Sequence, residues 1–192
     1  PGFVTINPPS RVGGAQNYGN AFLPAIYQGS PIGSLGQSIK DAKVENLANK
    51  RLSEMEQRKQ LDFIQSMNRD FKARDQEDSQ IDGVIESYEL AFRMQSALPE
   101  VMGLKGEKQS TLESYGIGNP KTDGFGRQCL MARRLVEKGV RFVEITHSSW
   151  DQHGSLKKKL GDNCMATDQP LAALLADLEQ RNLLEDTLVI WG

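Results

Sequence analysis

The residues best equipped for chemistry stand together at Trp150-Asp151-Gln152-His153, just after the apolar run Val140-Arg141-Phe142-Val143-Glu144-Ile145-Thr146. A carboxylate and an imidazole are common donors for a zinc-like cation, and such a cation neutralises ester oxygens and lowers the pKa of a nucleophile. The apolar run reads as a buried strand, and α/β sheets present their chemistry just past the C-terminal ends of their strands. Asp151 and His153 are therefore candidate metal ligands, although such a metal takes three or four protein donors. By spacing alone the plainer reading is favoured: a surface histidine stabilising the turn, with Asp151 capping a helix over residues 154–160. His147, at the strand end, reads as a satisfied polar residue, with a role as extra or ligand-orienting group the lesser alternative. Trp150 is either a shield beside the site or an ordinary core tryptophan.

The elements that must position this segment read as helix, strand, helix, strand over residues 122–192. Thr122 or Asp123 can cap a helix carrying Arg127, Leu130, Ala132, Leu135 and Val136, and Gly139 ends it as a left-handed terminator. The strand at 140–146 follows at once. Beyond the Asp-x-His pair come a short basic helical turn at Lys157-Lys158-Lys159, read as a solvated face, and a longer helix with Leu171, Leu174, Leu175 and Leu178. Thr187-Leu188-Val189-Ile190-Trp191 reads as the second strand. Strand, crossover helix and strand make a βαβ unit with a parallel sheet, which brings His153 and whatever follows Gly192 to one edge. Arg127, Arg133 and Arg134 fall on the first helix and read as solvent-facing or dipole-compensating rather than as an anion clamp.

Upstream, residues 1–36 are rich in Gly, Pro, Asn and Ser, with Asn7-Pro8-Pro9-Ser10, Gly13-Gly14 and Gly29-Ser30-Pro31. This punctuation excludes long regular elements, while Phe3, Tyr18, Phe22 and Tyr27 argue that the arm packs on something. It reads as a covering segment, with a substrate-contacting loop as the minority alternative. Residues 47–104 read as a helical hairpin. Leu52, Met55, Leu61, Ile64, Met67 and Phe71 mark the first helix, Asp75-Gln76-Glu77-Asp78-Ser79 the break, with Ser79 as cap. Ile81, Val84, Ile85, Tyr88, Leu90 and Met94 mark the second helix, ending by Leu98-Pro99. Such stripes serve domain packing first and an interaction surface second. Three segments result: a Gly/Pro-rich arm (1–36), a hairpin segment (37–121) and a βαβ portion (122–192).

With 23 basic and 25 acidic side chains, the chain has no electrostatic footprint of a nucleic-acid binder. Cys129 and Cys164 sit in helical segments without metal-type spacing and read as free thiols. No apolar stretch approaches the roughly 20 residues of a membrane span, and no signal peptide is evident. A start without methionine and a strand stopping at Gly192 suggest a fragment of a longer domain.

Residues 168–190, from Asp168-Gln169-Pro170 to Leu188-Val189-Ile190, resemble the helix and strand that precede a metal-ligand pair in the alkaline phosphatase and sulfatase superfamily. A closer resemblance, spanning nearly the whole chain, is to the sulfatase-like domain of unknown function 1501 family. It is carried by Gly124-Phe125-Gly126-Arg127-Gln128-Cys129-Leu130, by Arg133-Arg134-Leu135-Val136-Glu137, by Trp150-Asp151-Gln152-His153 and by the opening Pro1-Gly2-Phe3-Val4-Thr5-Ile6-Asn7-Pro8-Pro9. The resemblance implies a partial alkaline phosphatase-like parallel-sheet α/β fold with a helical hairpin insertion. It further implies a divalent metal of the zinc or calcium kind held in part by Asp151 and His153, and a sulfate or phosphate ester substrate. Its nucleophile would lie outside these residues, and its location would be exported or periplasmic. The superfamily's first Asp and His stand three residues apart, whereas one residue separates Asp151 from His153. The competing expectation is a non-catalytic member of the same fold that binds partners through residues 47–104.

Overall fold

The computed structural model describes residues 1–10, 13–44, 49, 51–74 and 79–192. Three short strands, β1 (Phe3–Ile6), β2 (Ser30–Ile32) and β3 (Phe142–Ile145), form a parallel sheet in the order β2-β1-β3. Val4 pairs with Ser30 on one side and with Val143 on the other, so the central strand comes from the segment expected to be an arm. Strands of three or four residues fit between the Gly and Pro signals, and Val4 and Ile6 are fully buried as a central parallel strand requires. The arm is packed only in part: Phe22 is 93% exposed.

Five helices surround the sheet: α1 (Glu54–Arg74), α2 (Ser79–Met102), α3 (Gln109–Ser114), α4 (Asp123–Glu137) and α5 (Leu156–Gln180). α1 and α2 are the two helices of the expected hairpin, and the expected break at Asp75-Gln76-Glu77-Asp78 lies outside the described residues. They are joined by polar contacts as well as packing. Arg58 pairs with Glu89 at 2.8 Å, and Gln65 Nε2 donates to the Ile85 carbonyl at 2.8 Å. α2 does not stop at Leu98-Pro99 but runs on to Met102. A proline one turn from a helix end removes one donor, and the Gly103 amide still closes the last turn onto the Pro99 carbonyl at 3.2 Å.

α4 is the organising helix. Its buried residues include Phe125, Gly126, Cys129, Leu130, Met131, Ala132 and Leu135, and it joins two clusters. On one side Met131, Ala132 and Leu135 meet Val4, Ile6 and Ile32 of the sheet and Leu98 and Val101 of α2. On the other, Phe125, Cys129 and Leu130 meet Tyr115 and Leu174 and Leu178 of α5. Gly139, at φ 83°, ends the helix as expected, and the Val140 amide turns back to the Leu135 carbonyl at 3.0 Å. Two of the expected helical pieces after His153 are one: α5 is continuous through Lys157, Lys158 and Lys159 and through the buried Pro170. The three lysines are exposed, as a solvated face requires. Among the described residues no helix is long and apolar enough to cross a membrane.

The expected second strand at 187–191 is not in the sheet. Its backbone is extended at Thr187, but it docks beside β3 through side chains, lining a cavity with Val143, Ile145, Leu174 and Leu178. Alternation survives without a hydrogen-bonded ladder: Val189 is half-buried, while Leu188 and Ile190 are 84% and 80% exposed.

The α4 N-terminus is pinned by Asp123, 8% exposed. Burial alone would raise its pKa. Hydrogen bonds from Arg127 (3.0 Å), the Gly118 amide (2.8 Å) and Lys40 (3.0 Å) prevail and hold it at about 2, against an ordinary 3.8. A carboxylate with a depressed folded-state pKa stabilises the fold above the unfolded value and loses that contribution as pH falls. Unfolding followed between pH 5 and 2 is therefore expected to show a loss of roughly 2 kcal/mol below about pH 4 that Asp123→Asn abolishes.

Candidate functional site

Because all three strands are parallel, their C-terminal ends share one edge, and the chain leaves the sheet there at Asn7, Gly33 and Thr146. The Thr146 amide still donates to the Ile6 carbonyl at 3.1 Å, extending the ladder one step and fixing the direction in which His147 departs. The loop that follows turns at Ser149, with φ 72°. Its carbonyl accepts from Gln152 Nε2 at 2.7 Å and from Asn163 Nδ2 of α5 at 2.6 Å, so the loop is held both to itself and to the next helix.

Asp151 and His153 sit on this pinned loop. His153 Nε2 lies 2.9 Å from Asp151 Oδ2, and both side chains are open to solvent, at 87% and 85% exposure. Asp151 does not cap α5: Ser155, at φ 55°, occupies the cap position and the helix has no side-chain cap bond. The plainer expectation for Asp151 is therefore set aside. Two donors bound tetrahedrally to one cation at zinc-like bond lengths stand about 3.3 Å apart, so the observed spacing suits two corners of such a shell. Among the described residues no group of three or more His, Cys, Asp or Glu comes together to complete one.

His147 departs from its expectation as a satisfied polar residue. Its half-buried ring lies edge-on to Phe125 at 5.3 Å and tilted on Trp150 at 5.7 Å, and Trp150 in turn meets Trp191 edge-on at 5.9 Å. Nδ1 is buried and makes no hydrogen bond of standard geometry among the described residues. Burial holds its pKa below the usual histidine range, and the Ser148 backbone offsets only part of this. The neutral imidazole thus favoured keeps a nitrogen lone pair. Trp150 is neither a buried core residue nor free: it links the strand end to the 187–191 segment, so the two expected strand ends do meet, through their tryptophans.

Asn7 was not singled out from the sequence, where Asn7-Pro8-Pro9 read only as punctuation. It is 5% exposed, adopts φ 53°, and presents a buried Oδ1 with no hydrogen-bond partner among the described residues. Gly33, at φ 69° on the neighbouring strand end, lies so close that a Cβ there would come within 2.7 Å of that oxygen. The available signal was an asparagine, one of the few residues that tolerates the left-handed region, directly after an apolar strand. Beside it a cavity of about 810 Å³ opens over the ends of β1 and β2, lined by Pro8, Ser10, Tyr18, Gly33, Ser34 and Gln37, among others.

The arginines of α4 are not solvent-facing. Arg133, 2% exposed, lies 2.7 Å from Glu107, 2.6 Å from Glu137 and 3.0 Å from Asp177. Burial opposes its charge, and these carboxylates restore it, leaving its pKa above the ordinary value. Asp177 also accepts from the buried Tyr115 hydroxyl at 3.0 Å and pairs with Arg181 at 2.7 Å. Arg134 donates to the Gly103 carbonyl at the end of α2, and Arg127 is held by Asp123. All three are structural, not anion clamps. Cys129 is buried and Cys164 half-buried, both free.

Fold and site together define a mixed α/β protein whose unpartnered polar groups collect at the C-terminal edge of a small parallel sheet. The model of the family described as Protein of unknown function (DUF1501) matches residues 1–192, and the chain belongs to that family. No curated protein and no solved structure matches it.

Proposed function

We propose that this chain is part of a metal-dependent hydrolase of the alkaline phosphatase and sulfatase type, acting on a sulfate or phosphate ester, with Asp151 and His153 as two of its metal ligands. The observation that carries this reading is the Asp151–His153 pair, donor atoms 2.9 Å apart on a pinned loop just past the end of a parallel strand. The imidazole favours a zinc-like ion over calcium, which prefers an all-oxygen shell. The remaining donors and the nucleophile come from outside the described residues. The bound ion would supply charge neutralisation of the ester oxygens. This chain's own residues hold Asp151 and His153 in register through the Ser149 carbonyl. Asn7 and the cavity over β1 and β2 would receive the organic body of the ester. Export from the cytoplasm belongs to the same reading, by resemblance.

In the full-length protein, Asp151→Ala and His153→Ala are each expected to weaken zinc binding by about 100-fold or more. Hydrolysis of 4-nitrophenyl sulfate or phosphate should fall with it. Metal content by mass spectrometry checks the first and absorbance at product wavelength the second. Wild-type metal content and activity in both variants would remove the proposal. A second reading, a non-catalytic binding module of the same fold, is favoured by the exposed apolar side of α1, and full activity loss in those variants would count against it.

A further inference from the structure

Helix α1 carries large apolar residues on two opposite sides. Leu61 and the buried Gln65 face α2, the helix on which α1 packs. On the far side Phe63, Met67 and Phe71 are 66%, 56% and 57% exposed. Four-residue spacing sets these three one above another as a continuous ridge. A surface helix needs only the stripe that faces its own domain, so a second ridge of this size marks a contact surface.

The ridge reads Phe, Met, Phe in both chain directions, which singles out a second copy of the chain as its occupant. A two-fold axis through Met67 sets Phe63 of each copy against Phe71 of the other and Met67 against itself, as a closed symmetric contact demands. Ridges of four-residue spacing also interdigitate in the commonest helix-pair class, at a crossing of about 50°. Charge does not oppose this. Gln60 and Ser66 beside the ridge are neutral, and Asp70 and its copy would stand about 9 Å apart along the helix.

At the observed exposures the three side chains leave roughly 350 Å² of each copy open, taking about 200 Å² for a large side chain. Two copies with their polar flanks would then cover on the order of 1,000 Å², the lower end of specific interfaces. We infer that the protein forms a weak, two-fold symmetric homodimer through antiparallel packing of α1, centred on Met67. The inference is independent of the hydrolase reading and fails separately, since its readout is mass rather than metal or turnover.

Sedimentation velocity on the full-length protein between about 1 and 100 µM is expected to show a reversible dimer with a micromolar dissociation constant. Met67→Glu, which places two carboxylates on the axis, should raise that constant by about 100-fold with helical circular dichroism unchanged. In a Cys164→Ser background, Met67→Cys should yield a disulfide-linked dimer on mild oxidation, whereas Arg51→Cys, exposed and outside α1, should not. A monomer across the whole range, a dimer indifferent to Met67→Glu, or equal cross-linking from position 51 would each overturn the inference. So would a chain that stays monomeric while this ridge binds lipid vesicles.

Discussion

Arg133→Met is expected to destabilise the fold by about 3–5 kcal/mol, read as a shift in the urea midpoint. The magnitude follows from what is left behind. Arg133 is 2% exposed and stands within ion-pair distance of Glu107, Glu137 and Asp177, so its loss leaves carboxylates from α4, α5 and the turn after α2 with less than their full compensation. Arg181 still reaches Glu137 and Asp177, at 2.6 and 2.7 Å, and Arg134 stands 3.7 Å from Glu107. Arg133→Lys keeps one charge but not the planar fork that serves three acceptors, and should fall between the two. A shift below about 1 kcal/mol for Arg133→Met would mean that Arg181 and Arg134 suffice, and the cluster would then be incidental to stability.

The second large effect concerns two glycines at the start of α4 and differs from propensity in sign. Alanine is favoured over glycine in a helix by about 1 kcal/mol. Gly124 is exposed, with open space where a Cβ would be, so Gly124→Ala is expected to be neutral to slightly stabilising. At Gly126 a Cβ would fall on the Tyr115 carbonyl oxygen, which is backbone and cannot swing aside, and near Ile117 at 3.4 Å. Gly126→Ala should therefore cost about 3 kcal/mol, because α4 must lift off the turn that carries Tyr115. Paired thermal melts of the two variants check this. Equal shifts in the same direction would show that the approach of α4 to residues 115–117 is loose.

The same helix shows how much of the molecule was legible. Its span, its Gly139 terminator and the strand that follows come from local pattern, and local pattern is what a sequence displays. The burial of Arg133 was half-legible: it lies four residues after Cys129 and seven after Gly126, on the side that carries small and apolar residues. Two of its three partners, Glu107 and Asp177, are remote in sequence, so nothing local announced that a charge there would be matched. β1 and β2 were hidden for a similar reason. Three or four residues between prolines and glycines carry no period, and their strand character is conferred by partners far along the chain. For 187–191 the alternation was read correctly and the pairing was not, since period two specifies an extended backbone but not a ladder. At the candidate site the sequence located the loop and both donors. What it missed, Asn7 and the unsatisfied nitrogen of His147, depends on burial at a sheet edge that only the assembled strands create.

The pairing of Val4 with Val143 carries a consequence for how the protein is made. The strand at the centre of the sheet closes a span of about 140 residues, so it cannot find its neighbour on that side until the ribosome has delivered β3. At synthesis rates of about 5–20 residues per second, Val4 and Ile6 wait on the order of ten seconds as an apolar segment with only the three-residue β2 for shelter. The prolines and glycines that surround β1, which disguised it as an arm, are poor partners for intermolecular strand pairing. They guard a nascent chain during the interval in which its future core is still a free end.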